Sequence, residues 1–397
     1  MSTIDAAIDA RAAQAVQLRH QLHRIPELGY EEFQTAAAIR AELDRLRIAH
    51  VDGLADVPTA TIVLIGDTSK PCIALRADID ALPITEQTGL PYASTHAGKM
   101  HACGHDGHMA ALLGAAAVLQ SIQNELPVCV KLIWQPAEEG GGGAQRLVNA
   151  GVLDGRVGPK VRAIFGLHGW PGLPVGCVAT KPGALLAATD NFRVTFIGKG
   201  CHGAFPHLGA DPIVAAAEAV VNLQQIVARQ IDPTEPALVT VGIISGGTAT
   251  NIIPDQAVIE GTVRTLGEPT RKLARSAIGQ RCQSIAAAGG CSAKLDWFEG
   301  YPATINDPAM SDYVAFVARQ TLGSDRFIPV ARPCMGGEDF AYYLEQIPGC
   351  FFLIGVEPPG LGGGAYPSLH SDRYDFLDAA VPVGMRMFVA LAINFVV

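Results

Sequence analysis

Apolar segments that alternate with helix-like segments constrain the fold of this chain more than any other feature. The alternation runs from about residue 59 to residue 178, with expected strands at 59–65, 71–77, 128–134 and 161–167 and expected helices at 106–122 and 144–150. Such an order predicts mainly parallel strands with helices on both faces of the sheet. We therefore expect an α/β fold here. Two helices, 6–24 and 31–47, are expected before it, separated by Pro26 and Gly29.

The order of the expected elements changes after residue 186. There we expect strand 191–197, helix 211–229, strands 237–245 and 256–266, helix 269–288 and strand 292–299. This βαββαβ order is that of a ferredoxin-like unit. The α/β pattern then resumes with helix 308–322, a helix starting near Glu338, strand 350–356 and helix 378–394. A length of 397 residues also favours two domains. We predict a discontinuous domain, 1–185 and 300–397, with an inserted domain, 186–299.

Charge and composition exclude several classes of protein. The net charge is −9 and the sequence contains no basic cluster, which argues against binding to nucleic acid or to an anionic membrane. No apolar run is long enough to span a bilayer, and the first residues lack a basic secretory signal. The nine cysteines are an odd number and several lie in apolar runs, so a disulfide framework is not expected. We expect a cytoplasmic protein that acts on a small molecule.

Residues suited to metal binding or proton transfer follow several expected strands. Asp78 and Asp80 follow strand 71–77, Glu138 and Glu139 follow strand 128–134, and His168 follows strand 161–167. The carboxyl ends of parallel strands meet along one crevice, where these side chains can converge. Together they indicate a metal-hydrolase site.

The densest cluster of such residues is His101-Ala-Cys103-Gly-His105-Asp106-Gly-His108. Cys103 and His105 are two residues apart, so a thiolate and an imidazole can bind one ion, and the dipole of the following helix favours a thiolate nearby. A buried cysteine beside surface histidines would give the same sequence without a metal, and Asp106 could serve only as the helix N-cap. The three histidines favour a metal site without deciding the question.

Glu138 and Glu139 are adjacent carboxylates that point in different directions. One can bind a metal ion while the other accepts a proton from water. The alternative is an acidic turn at the start of helix 144–150. Asp78 and Asp80 could orient a ligand histidine, or simply form a turn.

Taken in order, these motifs resemble the metal-dependent aminoacylase and carboxypeptidase family. The similarity is to the branch of hippurate hydrolases, bacterial N-acyl-amino-acid amidohydrolases and plant auxin-conjugate hydrolases. It rests on segments spread over nearly the whole chain: His23–Gly29, Met100–Asp106, Trp134–Gly140, Gly200–His202, Thr250–Pro254, Gly336–Phe340 and His370. The resemblance implies a three-layer α/β/α metallo-exopeptidase-like catalytic domain with an inserted ferredoxin-like lid and dimerisation domain.

The resemblance also implies a set of site residues. Those expected to bind one or two divalent ions, zinc, manganese, cobalt or nickel, are Cys103, His105, Glu139, His168 and His370. Glu138 matches the general base of the family. Many relatives carry a ligand histidine in a His-x-Asp motif where this chain has Asp78-Ile-Asp80, and we count Asp80 with the catalytic residues.

In the inserted domain, the resemblance assigns His202 to stabilising the tetrahedral oxyanion. Arg264 aligns with a position that binds the substrate carboxylate, and a planar guanidinium suits that contact. Asn251 is expected in the same cleft. The lid is expected to form a homodimer, because an open edge strand favours pairing with a second copy.

The expected activity is metal-dependent hydrolysis of the amide bond of N-acyl amino acids. Within the family, a dipeptidase or an N-acetyl-diaminopimelate deacetylase is the alternative. Outside it, the alternatives are an amidase with Cys103 as nucleophile and His105 as its base, and a metal-binding protein without catalysis.

Overall fold

The structure is a computed structural model that describes residues 3–361 and 365–396. Residues 1, 2, 362–364 and 397, which belong to the expected catalytic domain, lie outside the described residues. The chain divides into a first unit, Met1–Leu185, Ile305–Arg332 and Asp339–Val397, and a second unit, Leu186–Thr304 and Pro333–Glu338.

Helices and strands alternate along most of the chain. The helices are α1 (Thr3–His23), α2 (Phe33–Arg45), α3 (His105–Ser121), α4 (Gly143–Asn149), α5 (Pro212–Arg229), α6 (Glu268–Ala288), α7 (Pro308–Leu322), α8 (Ala341–Leu344) and α9 (Val381–Ile393). The strands are β1 (His50–Leu54), β2 (Val57–Ile65), β3 (Cys72–Asp78), β4 (Cys129–Gln135), β5 (Val161–Pro174), β6 (Val178–Thr180), β7 (Gly183–Leu186), β8 (Ala188–Ile197), β9 (Cys201–His202), β10 (Ala237–Gly246), β11 (Ile252–Ile253), β12 (Gln256–Thr265), β13 (Ser292–Glu299), β14 (Thr304–Asn306), β15 (Phe327–Pro329) and β16 (Gly349–Glu357).

The first unit is built on an eight-stranded sheet in the order β1-β2-β4-β3-β5-β16-β6-β15. Its centre, from β4 to β16, is parallel. Every residue of β3, β4 and β16 is buried, as expected of strands covered on both faces. Because these central strands are parallel, the carboxyl ends of β3, β4 and β5 lie next to one another at the same end of the sheet.

The helices α1, α3 and α9 pack against one another and close the core of the first unit. All residues of α3 from His105 to Leu119 are buried, which explains why this helix is apolar all round instead of amphipathic. Gly114 permits close packing, because a Cβ there would lie 2.6 Å from the Met385 sulfur atom. Packing in the core therefore fixes the amino end of α3, which begins at His105.

The second unit has an antiparallel sheet in the order β10-β12-β8-β13. Phe192, Val194 and Phe196 of β8 point to a core shared with α5 and α6. Alternate residues of the strands therefore point to the opposite face, which carries neither of these two helices. The ferredoxin-like fold class is confirmed.

The structure differs from the sequence-based expectation in several elements. The large sheet is mixed, because β1 pairs antiparallel with β2 and β2 with β4. The helix expected near Glu338 is confined to α8, since the preceding Asp339 is held in a buried hydrogen-bond network instead of a helical turn. The final helix starts with a 3-10 turn at Asp378–Ala380, and α9 begins as a separate α-helix with a proline in its first turn. In the described ranges, no helix is long and apolar enough to cross a membrane.

A buried ion pair in the second unit makes its stability testable. Arg271 donates to both carboxylate oxygens of Asp190, at 2.7 and 2.6 Å, and to the Gly300 carbonyl at 3.0 Å. Since Asp190 is 1% exposed, Arg271→Ala leaves a buried charge without its partner. We expect a loss of about 3 kcal/mol or more in the free energy of unfolding, measured by urea denaturation. Arg229→Ala, at the exposed end of α5, is the control. Equal midpoints for the two variants would contradict the prediction.

Candidate metal centre

Cys103 and His105 are brought together at the amino end of α3 by a turn at Gly104. Gly104 has a φ of +86°, in the left-handed region, and a Cβ there would lie 2.9 Å from the Tyr374 hydroxyl. Only glycine fits both restrictions. Cys103 is 7% exposed and His105 is fully buried. The turn therefore holds a thiol and an imidazole side by side in the protein interior.

His105 and His168 are each oriented by a backbone carbonyl. Nδ1 of His105 lies 2.8 Å from the Asp80 carbonyl oxygen, and Nδ1 of His168 lies 2.8 Å from that of Gly169. A carbonyl only accepts, so each Nδ1 carries a proton, and in the neutral imidazole each Nε2 keeps a lone pair. Nε2 of His168 lies 3.3 Å from Cys103 Sγ. Nε2 of His105 is buried and, among the described residues, has no hydrogen-bond partner. A metal ion would satisfy such a lone pair.

His168 was expected just beyond a strand, but β5 continues to Pro174 and His168 lies inside it. The apolar run in the sequence is shorter than β5. The last part of a strand can carry polar residues such as His168 when those residues have hydrogen-bond partners. The parallel neighbour of His168 is Leu353 of β16. Its backbone is therefore fixed by the sheet.

Glu139 reaches the same place from the loop after β4. Its N–H donates to Asp80 Oδ2 at 2.8 Å, and its Oε1 lies 3.2 Å from Nε2 of His370. The N–H of His370 donates to the Ala102 carbonyl at 2.8 Å, which anchors this late loop beside Cys103. The His370 side chain is 53% exposed and that of Glu139 is 14% exposed. The site is therefore open to solvent on the His370 side.

The ligand-type atoms of these side chains form overlapping triads. Within each triad the atoms lie within 4.8 Å of one another: Cys103–His105–His168, Cys103–Glu139–His370 and His105–Glu138–Glu139. Cys103 belongs to two triads, so its sulfur stands between two possible ion positions. The first unit thus brings together the five expected ligands, Cys103, His105, Glu139, His168 and His370, and Glu138 with them.

The electrostatics of the cluster favour a bound cation. Burial raises the pKa of the Cys103 thiol well above its usual value, and Glu139 and Glu138 raise it further. Burial opposes a charged His105, but nearby carboxylates, Asp78 foremost, outweigh it and raise its pKa to about 10. Both shifts reflect buried negative charge that a divalent ion would neutralise. Thiolate, imidazole and carboxylate donors together suit such an ion, and the residues present fit it.

His108, which the sequence analysis left without a role, is held by Asp78. Its Nδ1 lies 2.6 Å from Asp78 Oδ1, and its Nε2 accepts from the Gly169 N–H at 2.8 Å. The other oxygen of Asp78 accepts from Arg76 at 2.6 Å. Asp78, His105 and His108 also lie within metal-binding distance, but the atoms of Asp78 and His108 are already engaged. His108 therefore fixes the backbone next to His168. Its position one helical turn after His105 was the available signal.

The alternative role of Asp106, as the N-cap of α3, does not hold. The N-cap residue is Gly104, and Asp106 is buried inside the first turn. Its carboxylate accepts from Arg19 Nε at 2.8 Å and lies 2.9 Å from His23 Nδ1. A carboxylate in the first turn is favoured by the helix dipole without occupying the cap position. This buried cluster ties α1 to the turn that carries Cys103.

His202 and Asn251 lie close together in the second unit. His202 on β9 is paired with Ile252 on β11, and the Gly203 N–H donates to the Asn251 carbonyl at 2.7 Å. His202 is exposed, and its Nδ1 accepts from the Ala204 N–H at 3.0 Å. Nε2 of a neutral His202 therefore carries the proton and can donate it in a hydrogen bond.

Arg264 lies on the face of the four-stranded sheet that carries neither α5 nor α6. It is opposite Thr189, whereas the nearby Arg193 is opposite Glu260 and donates to it at 2.9 Å. Partial burial lowers the pKa of Arg264. Among the described residues no hydrogen bond or ion pair engages its guanidinium. The group is therefore free to bind an anion.

Comparisons with known proteins agree on one family. The model of peptidase family M20/M25/M40 matches residues 74–394. The chain is 45% identical over 349 residues to N-acetyl-L-cysteine deacetylase of Bacillus subtilis (strain 168), covering 87% of this chain and 80% of that protein. It is 38% identical over 384 residues to IAA-amino acid hydrolase ILR1-like 4 of Arabidopsis thaliana, covering 96% and 85%.

A solved structure is similar over the full length. The YxeP protein of Bacillus subtilis, described as a dinuclear metal binding peptidase, superimposes with a TM-score of 0.84 at 36% identity, covering 97% of this chain and 98% of that one. The match of fold and sequence therefore extends over both units.

We expect Glu139→Ala and Cys103→Ser to bind a divalent ion at least about tenfold more weakly than the wild type, because each removes a charged donor. Titration calorimetry after removal of metal with a chelator measures this. Glu125→Ala, which removes an exposed acid, and Cys282→Ser, which changes a buried thiol of the second unit, are matched controls. Wild-type affinity in Glu139→Ala would remove Glu139 from the ligand set.

Proposed function

The chain belongs to peptidase family M20/M25/M40, and we propose on that basis that it is a metal-dependent amidohydrolase that cleaves N-acyl amino acids into a carboxylic acid and a free amino acid. The observation that carries this proposal is the triad of His105, Glu138 and Glu139. In it, two neighbouring carboxylates reach the same imidazole from one loop. One carboxylate can bind the ion while the other accepts a proton.

We assign metal binding to Cys103, His105, Glu139, His168 and His370. A divalent ion held by these residues would supply Lewis-acid polarisation of the scissile carbonyl and activation of water. The two overlapping triads that share Cys103 support room for two ions. Sulfur and imidazole donors suit zinc, while manganese, cobalt and nickel are compatible with the same set.

Glu138 is assigned as the general base. It accepts the proton of the attacking water and then delivers it to the amine nitrogen that leaves. Asp80 is assigned a positioning role, because its carbonyl orients His105 and its carboxylate holds the Glu139 backbone. His202 is assigned to the oxyanion, since its Nε2–H is a hydrogen-bond donor that the second unit leaves exposed.

The substrate class follows from Arg264 and from the relatives. A guanidinium without a partner on an open sheet face suits the α-carboxylate of an amino acid. Asn251 lies beside His202 and is assigned to the same pocket. Of the two relatives compared above, one is named for the deacetylation of N-acetyl-L-cysteine, an N-acyl amino acid, and the other for the hydrolysis of IAA-amino acids.

We further propose that the protein is a homodimer formed through the second unit. β10 is an edge strand of the four-stranded sheet, and Ile243 and Ile244 on it are 53% and 54% exposed. On the adjacent α5, Val214 and Val221 are 61% and 73% exposed. Pairing two copies through this edge would bury apolar side chains and complete the strand's hydrogen bonds.

A cysteine amidase is the second candidate, and one distance favours it. Cys103 Sγ lies 3.3 Å from Nε2 of His168, within reach of a base that could activate a nucleophile. His168, and not His105 as expected, would be that base. The buried carboxylates oppose a free thiolate there, because they raise the pKa of Cys103 together with burial. A chelator abolishes a metal-dependent reaction but leaves a cysteine amidase active.

Glu138→Gln should lower kcat for N-acetyl and N-benzoyl amino acids by about 100-fold or more, the usual range for a lost general base. Metal content and KM should stay near wild type, because the amide keeps the size of the side chain. Steady-state kinetics and metal analysis of the same sample test this. Glu125→Gln should leave kcat unchanged. If Glu138→Gln keeps most of its turnover, another group is the base.

Arg264→Ala should raise KM for substrates with a free α-carboxylate and have little effect on their carboxamide analogues, since only a carboxylate can accept both guanidinium hydrogen bonds. Arg193→Ala is a matched control on the same face of the same sheet, where the guanidinium already has Glu260 as a partner. An equal effect of Arg264→Ala on acids and amides would place Arg264 outside the carboxylate pocket.

A further inference from the structure

The loop that carries Glu138 and Glu139 is held by buried carboxylates from three separate parts of the first unit. Each accepts one backbone N–H, either of the loop or of the first turn of α4. The pairs are Glu32 with Ala137 at 2.9 Å, Asp80 with Glu139 at 2.8 Å, and Asp339 with Ala144 at 2.9 Å. The loop therefore depends on side chains far from it in sequence.

The contact of Glu32 is made at the strained position of this loop. Ala137 has a φ of +56°, a left-handed conformation that residues with a Cβ rarely adopt. Ala137 is fully buried and directly precedes Glu138. A change in the backbone angles of Ala137 would therefore redirect the Glu138 side chain. Strain of this kind persists only where surrounding contacts hold it.

Glu32 is suited to hold this backbone position. It is fully buried at the start of α2, where one oxygen accepts from Ala137 and the other accepts from the Thr59 hydroxyl at 2.9 Å. Burial and the charge of Asp80 raise the pKa of Glu32 to about 7. A buried acid in such surroundings is costly unless its oxygens are needed as acceptors.

Residues just before Glu32 also contact the loop that carries Glu138. The Tyr30 hydroxyl donates to the Gly141 carbonyl at 2.7 Å. Gly29 lies so close that a Cβ there would be 3.1 Å from the Cβ of Ala137. The break between α1 and α2, which the sequence indicated through Pro26 and Gly29, thus places a segment along the Glu138 loop.

We propose that Glu32 is a positioning residue for proton transfer, holding Ala137 in the left-handed conformation that directs Glu138 toward the reacting water. This inference rests on the proposed function, in which Glu138 is the base. Among the described residues, Glu32 forms no hydrogen bond with a residue assigned to metal binding or to substrate binding. Its loss should therefore act on kcat and leave KM and metal affinity in place.

The test compares three substitutions of Glu32 in the full-length protein with N-acetyl amino acids. Glu32→Ala should lower kcat at least about tenfold, since small displacements of a catalytic group have effects of this size, with KM and metal content within about twofold of wild type. Glu32→Gln should recover most of the turnover, because its amide oxygen still accepts from Ala137. Glu32→Asp keeps the charge but is too short to reach, and should resemble Glu32→Ala.

Glu42→Ala is the matched control. Glu42 is another buried acid of α2, 7% exposed, but it bonds to Gln14 and Arg45 and not to the loop. Its substitution should leave kcat unchanged. A fall in kcat as large as that of Glu32→Ala would overturn the proposal, because it would show that any perturbation of α2 has the same effect.

Two further outcomes would overturn the positioning role. One is wild-type kcat in both Glu32→Ala and Glu32→Asp while the wild type hydrolyses N-acyl amino acids. The other is a loss of metal in proportion to the loss of activity. A crystal structure of Glu32→Ala tests the role without measuring turnover. Ala137 should no longer have a positive φ, and a loop in the wild-type conformation would contradict the proposal. A wild type that cleaves no N-acyl amino acid would instead overturn the proposed function itself.

Discussion

Buried negative charge at the carboxyl ends of β3 and β4 is the constraint on which the rest of the site depends. Asp78, Asp80, Glu138, Glu139 and Asp339 all lie there with low exposure. Carboxylates so close together can stay ionised only if backbone N–H groups, cations or both neutralise them. Arg76 supplies one such cation, bonding to both Asp78 and Asp339. The remaining charge would favour a bound divalent ion, and three of the buried acids of the first unit, Glu32, Asp80 and Asp339, hold the segment that carries Glu138 and Glu139.

Much of this arrangement could be predicted from the sequence, for reasons that are physical. Parallel strands deliver the residues that follow them to one edge, so Asp80 and Glu139 were correctly expected to meet. The second unit was predictable because its strands and helices are long enough to show the regular spacing of apolar residues that is typical of each. Its β9 and β11 are only two residues each, and so short a strand has no pattern that could reveal the pairing of His202 with Ile252.

Other parts of the site lie beyond pattern analysis. His370 stands on a loop without a periodic signal, and only the family resemblance singled it out. The roles of His108 and Glu32 depend on which backbone N–H lies opposite them, at Gly169 and at Ala137. Such contacts join segments distant in sequence, and neither propensity nor spacing encodes them. The sequence left the role of Asp106 open, because a carboxylate at a helix start suits either a cap or an ion pair.

The position of β16 has a consequence for how the chain is made. It lies in the large sheet between β5 and β6, yet it is synthesised after the whole second unit. β5 therefore leaves the ribosome with one edge unoccupied, whereas the second unit has all four of its strands in one continuous stretch and can complete its sheet first. The sheet of the first unit, whose strand β5 is synthesised before the second unit, is thus completed last. During that interval, the exposed edge of β5 is open to chaperone binding and to misassembly.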